Sequence, residues 1–155
     1  MLVIIALVAM VVLDQVVKFL TVQNIALHQN GGTLIPNVLG LYHTTNTGGG
    51  WSILEGNVIF LIALPIAVCA YISYLLITKK ASHPLLKWSL TLILGGAIGN
   101  LIDRIVNDMH VVDMFKFLFV DFPIFNVADI FITFGAIMLF AYLLFFAKDD
   151  EGMKK

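Results

Sequence analysis

The sequence predicts an all-α membrane protein: four membrane-spanning helices, a small extracytoplasmic β-element and both termini in the cytoplasm. Three observations lead there. The 155 residues are 60% hydrophobic and only 12% charged, and mean hydropathy is +0.98. Soluble domains run at about 45–50% apolar and about 25% charged. The apolar residues also gather into four runs, each near the roughly 20 residues that cross a hydrocarbon core. Finally, the few lysines fall on alternate connections, as they do in multi-span proteins. A net charge of −1 gives no electrostatic reason to expect nucleic acid as a partner. The length suits a single membrane domain over residues 1–155.

Span 1 is expected over about Leu2 to Leu20, apolar until Asp14-Gln15, with Lys18 one turn on. No basic segment precedes it and no small-residue cleavage site interrupts it, so it reads as an uncleaved span. Span 2, about Val58 to Ile77, carries no charge, and Pro65 is of the kind membrane helices tolerate. Span 3 runs from about Leu85 to Ile105, with Asn100, Asp103 and Arg104 near its end. Span 4, about Val127 to Ala147, has Asp129 in its first turn. The lone Cys69 lies in an apolar run and reads as a small hydrophobe.

Lys79, Lys80 and Lys87 lie between spans 2 and 3, and Lys148, Lys154 and Lys155 follow span 4. The connection 21–57 has no Lys or Arg, and 106–126 has only Lys116. By the positive-inside rule both termini are cytoplasmic and these two longer connections face outward. The first contains Val38 to Thr45, rich in β-formers and bracketed by Pro36-Asn37 and a glycine cluster, which predicts a short strand or hairpin.

Depth then sorts the polar groups. At about 1.5 Å per residue, Asp14 lies roughly 20 Å from the cytoplasmic start of span 1. Lys18 is further out, span 3 ends at the outer face, and span 4 begins there. The intramembrane polar groups therefore share one level. Gly96, Asn100 and Arg104 recur at i, i+4, i+8, on one helix face. Gly95 and Gly99 form a small-xxx-small pair, read as helix packing. Asp14 and Lys18 can pair on one face, either neutralising each other or touching substrate. Asn46 to Ser52 is a glycine-rich turn without the Lys-Ser/Thr ending of a phosphate loop. Trp51 in it suits an interfacial aromatic belt. The four histidines and Cys69 show no ligand-like spacing, so no metal is expected.

The acids remain. Asp129 stands at the head of span 4 and Asp113 lies upstream in Val111-Val112-Asp113, with Asp108 and Asp121 as competitors in the same connection. Asp121 precedes Phe122-Pro123 and suits a turn, and Asp108 follows Asn107 in a polar loop. Two carboxyls sharing a poorly solvated site do not both ionise easily, and such a pair is the machinery of aspartic proteases.

Along nearly its whole length the chain resembles the bacterial lipoprotein signal peptidases (signal peptidase II). The likeness rests on Asp14-Gln15 with Lys18, on Asn46-Thr47-Gly48, and on the block from Gly95 to Arg104. It continues with Val111-Val112-Asp113 and Phe125-Asn126-Val127-Ala128-Asp129. The resemblance implies an aspartic endopeptidase of the bacterial cytoplasmic membrane. Such an enzyme cleaves prolipoproteins on the N-terminal side of the diacylglyceryl-modified lipobox cysteine, at the extracytoplasmic face and without a cofactor. It implies Asp113 and Asp129 as the catalytic pair. Asn46, Gly96, Asn100, Arg104, Asn126 and Ala128 fall around the site, and Asp14 and Lys18 support it. Where the family usually has Ala-Ala-Phe after Asn-Thr-Gly, this chain has Gly49-Gly50-Trp51. Lipid-modified prolipoproteins and membrane lipid are the implied partners, and so small a bundle is expected to be monomeric. The rival readings are a small four-span proton-coupled transporter, which calls for an acid near the midplane reachable from both sides, and an assembly factor without chemistry, which leaves two interfacial acids unexplained.

Overall fold

A computed structural model describes residues 1–47 and 58–147. In chain order it contains α1 (Leu2–Asn24), β1 (Asn30–Ile35), β2 (Leu39–Asn46), α2 (Val58–Ile77), α3 (Pro84–Val106), β3 (Val111–Phe117) and α4 (Val127–Phe145). All four helices are long and apolar enough to cross a membrane. Their burial is inverted relative to a soluble bundle. Leu2, Ile5, Val8 and Val12 on α1, and Phe134, Ile137 and Phe140 on α4, are exposed. Asp14, Lys18, Asn100, Asp103 and Asn126 are buried. Large apolar side chains facing outward match hydrocarbon surroundings, and polar ones turned inward find partners there.

Helix α3 is the hub, with α4, α1 and α2 all packed on it. Its glycines make that possible. A Cβ at Gly95 would come within 2.9 Å of the Met10 thioether methyl, and one at Gly99 within 2.6 Å of an Asp14 carboxylate oxygen. At Gly96 a Cβ would run into the Ala128 carbonyl oxygen. Gly95 and Gly99 therefore seat α1 while Gly96 seats α4, which is the use of small residues expected between membrane helices. Gly135 repays the contact from α4, lying against Ile93 and the Ser89 carbonyl. A small apolar cluster of Ile72, Ala81, Leu90 and Leu94, joining α2 to α3, fills the other end of the bundle.

The strands form an antiparallel sheet in the order β1-β2-β3. The β-rich segment expected over Val38 to Thr45 is β2, the central strand. Its neighbours were not anticipated. All six residues of β1 are exposed, so no alternation of burial marks it, and Gly31-Gly32 argues locally against a strand. In β3 four consecutive residues, Val111 to Met114, are buried, which erases the period of two that identifies a half-buried strand. The sheet is tied to α1 through buried His43, whose backbone N–H donates to the Gln29 carbonyl and whose Nδ1 lies 2.7 Å from the Ile25 carbonyl oxygen.

The spans fall close to their expected limits. α1 runs one turn beyond Leu20, because Thr21 and Asn24 satisfy their polar groups on the Val17 and Leu20 carbonyls within the helix. α4 ends at Phe145 rather than Ala147.

Candidate active site

Two local structures bring the acids together. After α3, Asp108 and Met109 take left-handed backbone conformations (φ 48° and 72°), which turn the chain sharply into β3. There Asp113 lies opposite Thr44 of β2. Further on, Phe125 pairs with Phe115 in an isolated antiparallel bridge: its N–H donates to the Phe115 carbonyl, and its carbonyl accepts from Met114 and Phe115. The next residue, Asn126, is the N-cap of α4. It forms a capping box in which its side chain accepts from the Asp129 N–H (3.0 Å) while the Asp129 carboxylate accepts from the Asn126 N–H (3.1 Å). The cap thus sets Asp129 in the first turn, and the bridge sets that turn beside β3.

Asn126 joins the two acids. Its Nδ2 donates to Asp113 Oδ1 at 2.6 Å and also reaches Asn100 Oδ1 at 3.0 Å and the Val112 carbonyl at 3.3 Å. Asn100 in turn donates to Asp129 Oδ1 at 2.8 Å. Asp113 is only 2% exposed. Burial, and next the Asp129 charge, push its carboxyl from 3.8 up to about 7, against the opposing pull of Asn126, Lys18 and Asn46. Above the pair opens a cavity of about 390 Å³. Its polar end is Asn46, Asn100, Arg104, Asp113 and Asp129. Its remaining lining is mostly apolar: Val111 and Phe117 from β3, the segment Phe122 to Phe125, and Ile130, Thr133 and Phe134 along α4. The Nε of Arg104 has no hydrogen-bond partner among the described residues.

Beneath this floor lies a second layer. The Lys18 ammonium meets Asp14 Oδ2 at 2.9 Å, Asp103 Oδ2 at 3.0 Å and Asn100 Oδ1 at 3.0 Å. Asp14 also accepts the Ala128 N–H at 2.8 Å, and Asp103 accepts the Val112 N–H at 3.0 Å. Gln15 donates to Asp14, Asp103 and the Gly99 carbonyl. One buried cation and two buried carboxylates thus clamp α1, α3, β3 and α4 together, with hydrogen bonds on the remaining lone pairs. A buried ion network holds only under that condition.

The residues singled out in the sequence separate into three groups. Asn46, Asn100, Arg104, Asp113 and Asp129 line the cavity. Asn126 lies buried between the acids, and Asp14 and Lys18 lie one layer down. Gly96 and Ala128 are the contact that lets α4 approach α3. The competing acids Asp108 and Asp121 are exposed and do not line the cavity. Gly49, Gly50 and Trp51 lie outside the described residues. Asp103 and Gln15 were passed over as site residues, although a signal existed. Gly95, Gly99 and Asp103 recur at i, i+4, i+8, a second stripe beside the Gly96-Asn100-Arg104 one, and this stripe faces α1.

The chain is similar to known proteins along nearly its whole length. The family described as signal peptidase (SPase) II matches residues 5–145. The lipoprotein signal peptidase of Enterococcus faecalis is 44% identical over 143 residues, 92% of this chain and 86% of the relative. That of Latilactobacillus sakei is 44% identical over 134 residues, 84% and 85% of the two chains. A solved bacterial membrane enzyme structure superposes with a TM-score of 0.85 at 30% identity, covering 99% of this chain and 91% of the other. A second reaches 0.83, with 94% of each chain covered. The chain is a four-helix, multi-pass membrane peptidase that belongs to the signal peptidase II family.

Proposed function

We propose that this peptidase is an aspartic endopeptidase that removes signal peptides from prolipoproteins, cutting on the N-terminal side of the diacylglyceryl-modified cysteine. One observation carries the reading: Asp113 and Asp129 share the buried Asn126 at the polar end of an otherwise apolar cavity. Of such a pair, one carboxyl keeps a proton and the other is an anion. The anion takes a proton from a water molecule as its oxygen attacks the scissile carbonyl carbon. The protonated partner donates its hydrogen bond to the carbonyl oxygen, stabilising the charge that develops there. Arg104 brings a cation to the same cavity, suited to peptide or lipid carbonyls beside the cut. The apolar lining suits an acyl chain and a signal helix.

The chain acts as one membrane domain over residues 1–155, as a monomer among lipids. The positive-inside distribution of lysines orients both termini to the cytoplasm. The site then faces outward from the bacterial cytoplasmic membrane, where a lipid-anchored precursor presents its cleavage point. Nothing favours the transporter reading, because the hydrogen-bonded polar groups converge at the sheet-bearing end of the bundle.

The test is cleavage of a diacylglyceryl-modified prolipoprotein by the purified chain, with and without a metal chelator. The expected outcome is release of the signal peptide in both conditions, and a loss of about 10³-fold or more with Asp113→Asn or Asp129→Asn. Normal processing by either variant refutes the pair, and chelator sensitivity counts against the aspartic mechanism.

A further inference from the structure

Each of the two acids follows a residue whose backbone N–H is held by another buried carboxylate. Ala128, directly before Asp129, donates to Asp14 Oδ1 at 2.8 Å. Its N–H belongs to the first turn of α4, where the helix itself supplies no acceptor. Val112, directly before Asp113, donates to Asp103 Oδ2 at 3.0 Å. The two holding carboxylates come from α1 and α3, and neither residue is more than 2% exposed.

Two side chains of α1 join the two holders. The Lys18 ammonium reaches Asp14 Oδ2 at 2.9 Å and Asp103 Oδ2 at 3.0 Å. The Gln15 amide nitrogen reaches Asp103 Oδ1 at 2.9 Å, Asp14 Oδ2 at 3.2 Å and the Gly99 carbonyl at 3.2 Å. One ammonium leaves two carboxylates with a surplus negative charge, which drives them apart where water is scarce. Gln15 opposes that parting without adding a charge, because its N–H groups face an oxygen of each. The acids of the pair are therefore joined twice. Above, Asn126 and Asn100 bond the carboxyl oxygens themselves. Below, the contacts go to backbone N–H groups, which keep their hydrogen whichever carboxyl is protonated. The lower join is thus indifferent to the movement of a proton during a reaction.

We propose that Gln15 and Asp103 are positioning residues: with Asp14 and Lys18 they form a crossbar beneath the pair that fixes the spacing of Asp113 and Asp129 through the N–H groups of Val112 and Ala128. The proposal deepens the aspartic reading and rests on it for its kinetic consequence. The charged groups around the pair are Asp14 and Lys18 from α1 and Asp103 and Arg104 from α3. Gln15 is the uncharged member of the crossbar, so replacing it alters the spacing and leaves every one of those charges in place.

The spacing is read without substrate by infrared titration of the protonated-carboxyl stretch of the purified protein. The band of the pair is the one altered by Asp113→Asn and by Asp129→Asn. Carboxyls held close resist joint ionisation, and carboxyls that drift apart resist it less. In Gln15→Met, similar in length but without donors, the midpoint of that band is therefore expected to fall by about half a unit or more. Leu90→Ala, in the apolar cluster at the other end of the bundle, is the comparison for lost stability alone: a lower melting temperature with the midpoint unmoved. Turnover of a lipidated precursor is the second readout, since a misplacement of about 1 Å can cost about a hundredfold in rate. Asp103→Glu keeps the charge and the acceptors but lengthens the arm by one methylene. Its kcat is expected to fall about tenfold or more, and that of Gln15→Met about threefold or more, with KM changed less than about threefold in both. If Gln15→Met fails to insert, Gln15→Asn, which holds the donors on a shorter arm, replaces it with the same shift expected. A midpoint that stays or rises in the Gln15 variant, one that falls equally in Leu90→Ala, or wild-type kcat in Asp103→Glu makes the crossbar structural only and overturns the proposal. If the wild-type chain cleaves no lipidated precursor, the peptidase reading fails by itself, and the infrared midpoints still decide whether the crossbar sets the spacing.

Discussion

At Asp113 the balance between burial and partners sets where the carboxyl releases its proton. The folded protein holds this proton up to about 7, whereas a carboxyl in the unfolded chain releases it near 3.8. Between those values the native state binds more protons, so stability is expected to decline as pH rises across that window. Activity is expected to follow the same group. Above about 7 the pair becomes doubly anionic and the acid partner is lost, so a pH–rate profile should fall through that value. A rate that stays flat to well above neutrality would count against Asp113 as a member of the pair. Arg104 poses a separate question, because a basic side chain at the end of a span often only reaches for the interface. Here it lines the cavity, with an Nε that has no partner among the described residues. Arg104→Ala is therefore expected to lower kcat/KM about tenfold or more with membrane insertion intact. An unchanged rate would return Arg104 to the interface. The acids themselves were legible in the sequence because charge is conspicuous among apolar residues. Asn126 was named only through the family likeness, since an asparagine before a helix is first of all an N-cap. Its second role, joining two carboxyls, depends on a strand distant in sequence.

Among the elements, legibility followed the reach of the governing interaction. Each span declared itself because burial in hydrocarbon acts on a continuous run of residues. The sheet did so only in part. β2 carries β-formers between turn signals, whereas β1 is glycine-rich and exposed, and β3 is buried in a row and takes its strand state from β2 and the Phe125 bridge. Helix packing was intermediate: the glycine spacing predicted close approach but not which neighbour each glycine meets. Gly96→Ala tests that contact. The added methyl meets a backbone carbonyl at Ala128, which cannot swing aside like a side chain. Overpacking of this kind costs about 1–3 kcal/mol. A lowered melting temperature in detergent is expected together with reduced cleavage, since Asp129 follows Ala128 directly. Unchanged melting would disprove the tight seat of α4 on α3.

For the molecule as a whole, the inverted burial pattern and the single polar level are one design. Polar groups in hydrocarbon must satisfy each other, and gathering them at one end of the bundle allows a contiguous network to do so. That network clamps four elements, so the acids are held by the architecture rather than by a mobile loop. Rigid placement of this sort reduces the reorganisation needed when charge develops during peptide cleavage.

The capping box of α4 has a bearing on biosynthesis. Asp129 belongs to α4, the last helix among the described residues, and the N–H groups that donate to its carboxylate come from Asn126 and from α3. A nascent chain that has delivered three spans to the membrane holds Asp113 without a counterpart. On the proposed aspartic reading, proteolytic competence is expected to arise in one step, when this span docks against α3. A shorter translation product that lacks α4 is then expected to be inert beside the precursors it would otherwise cut.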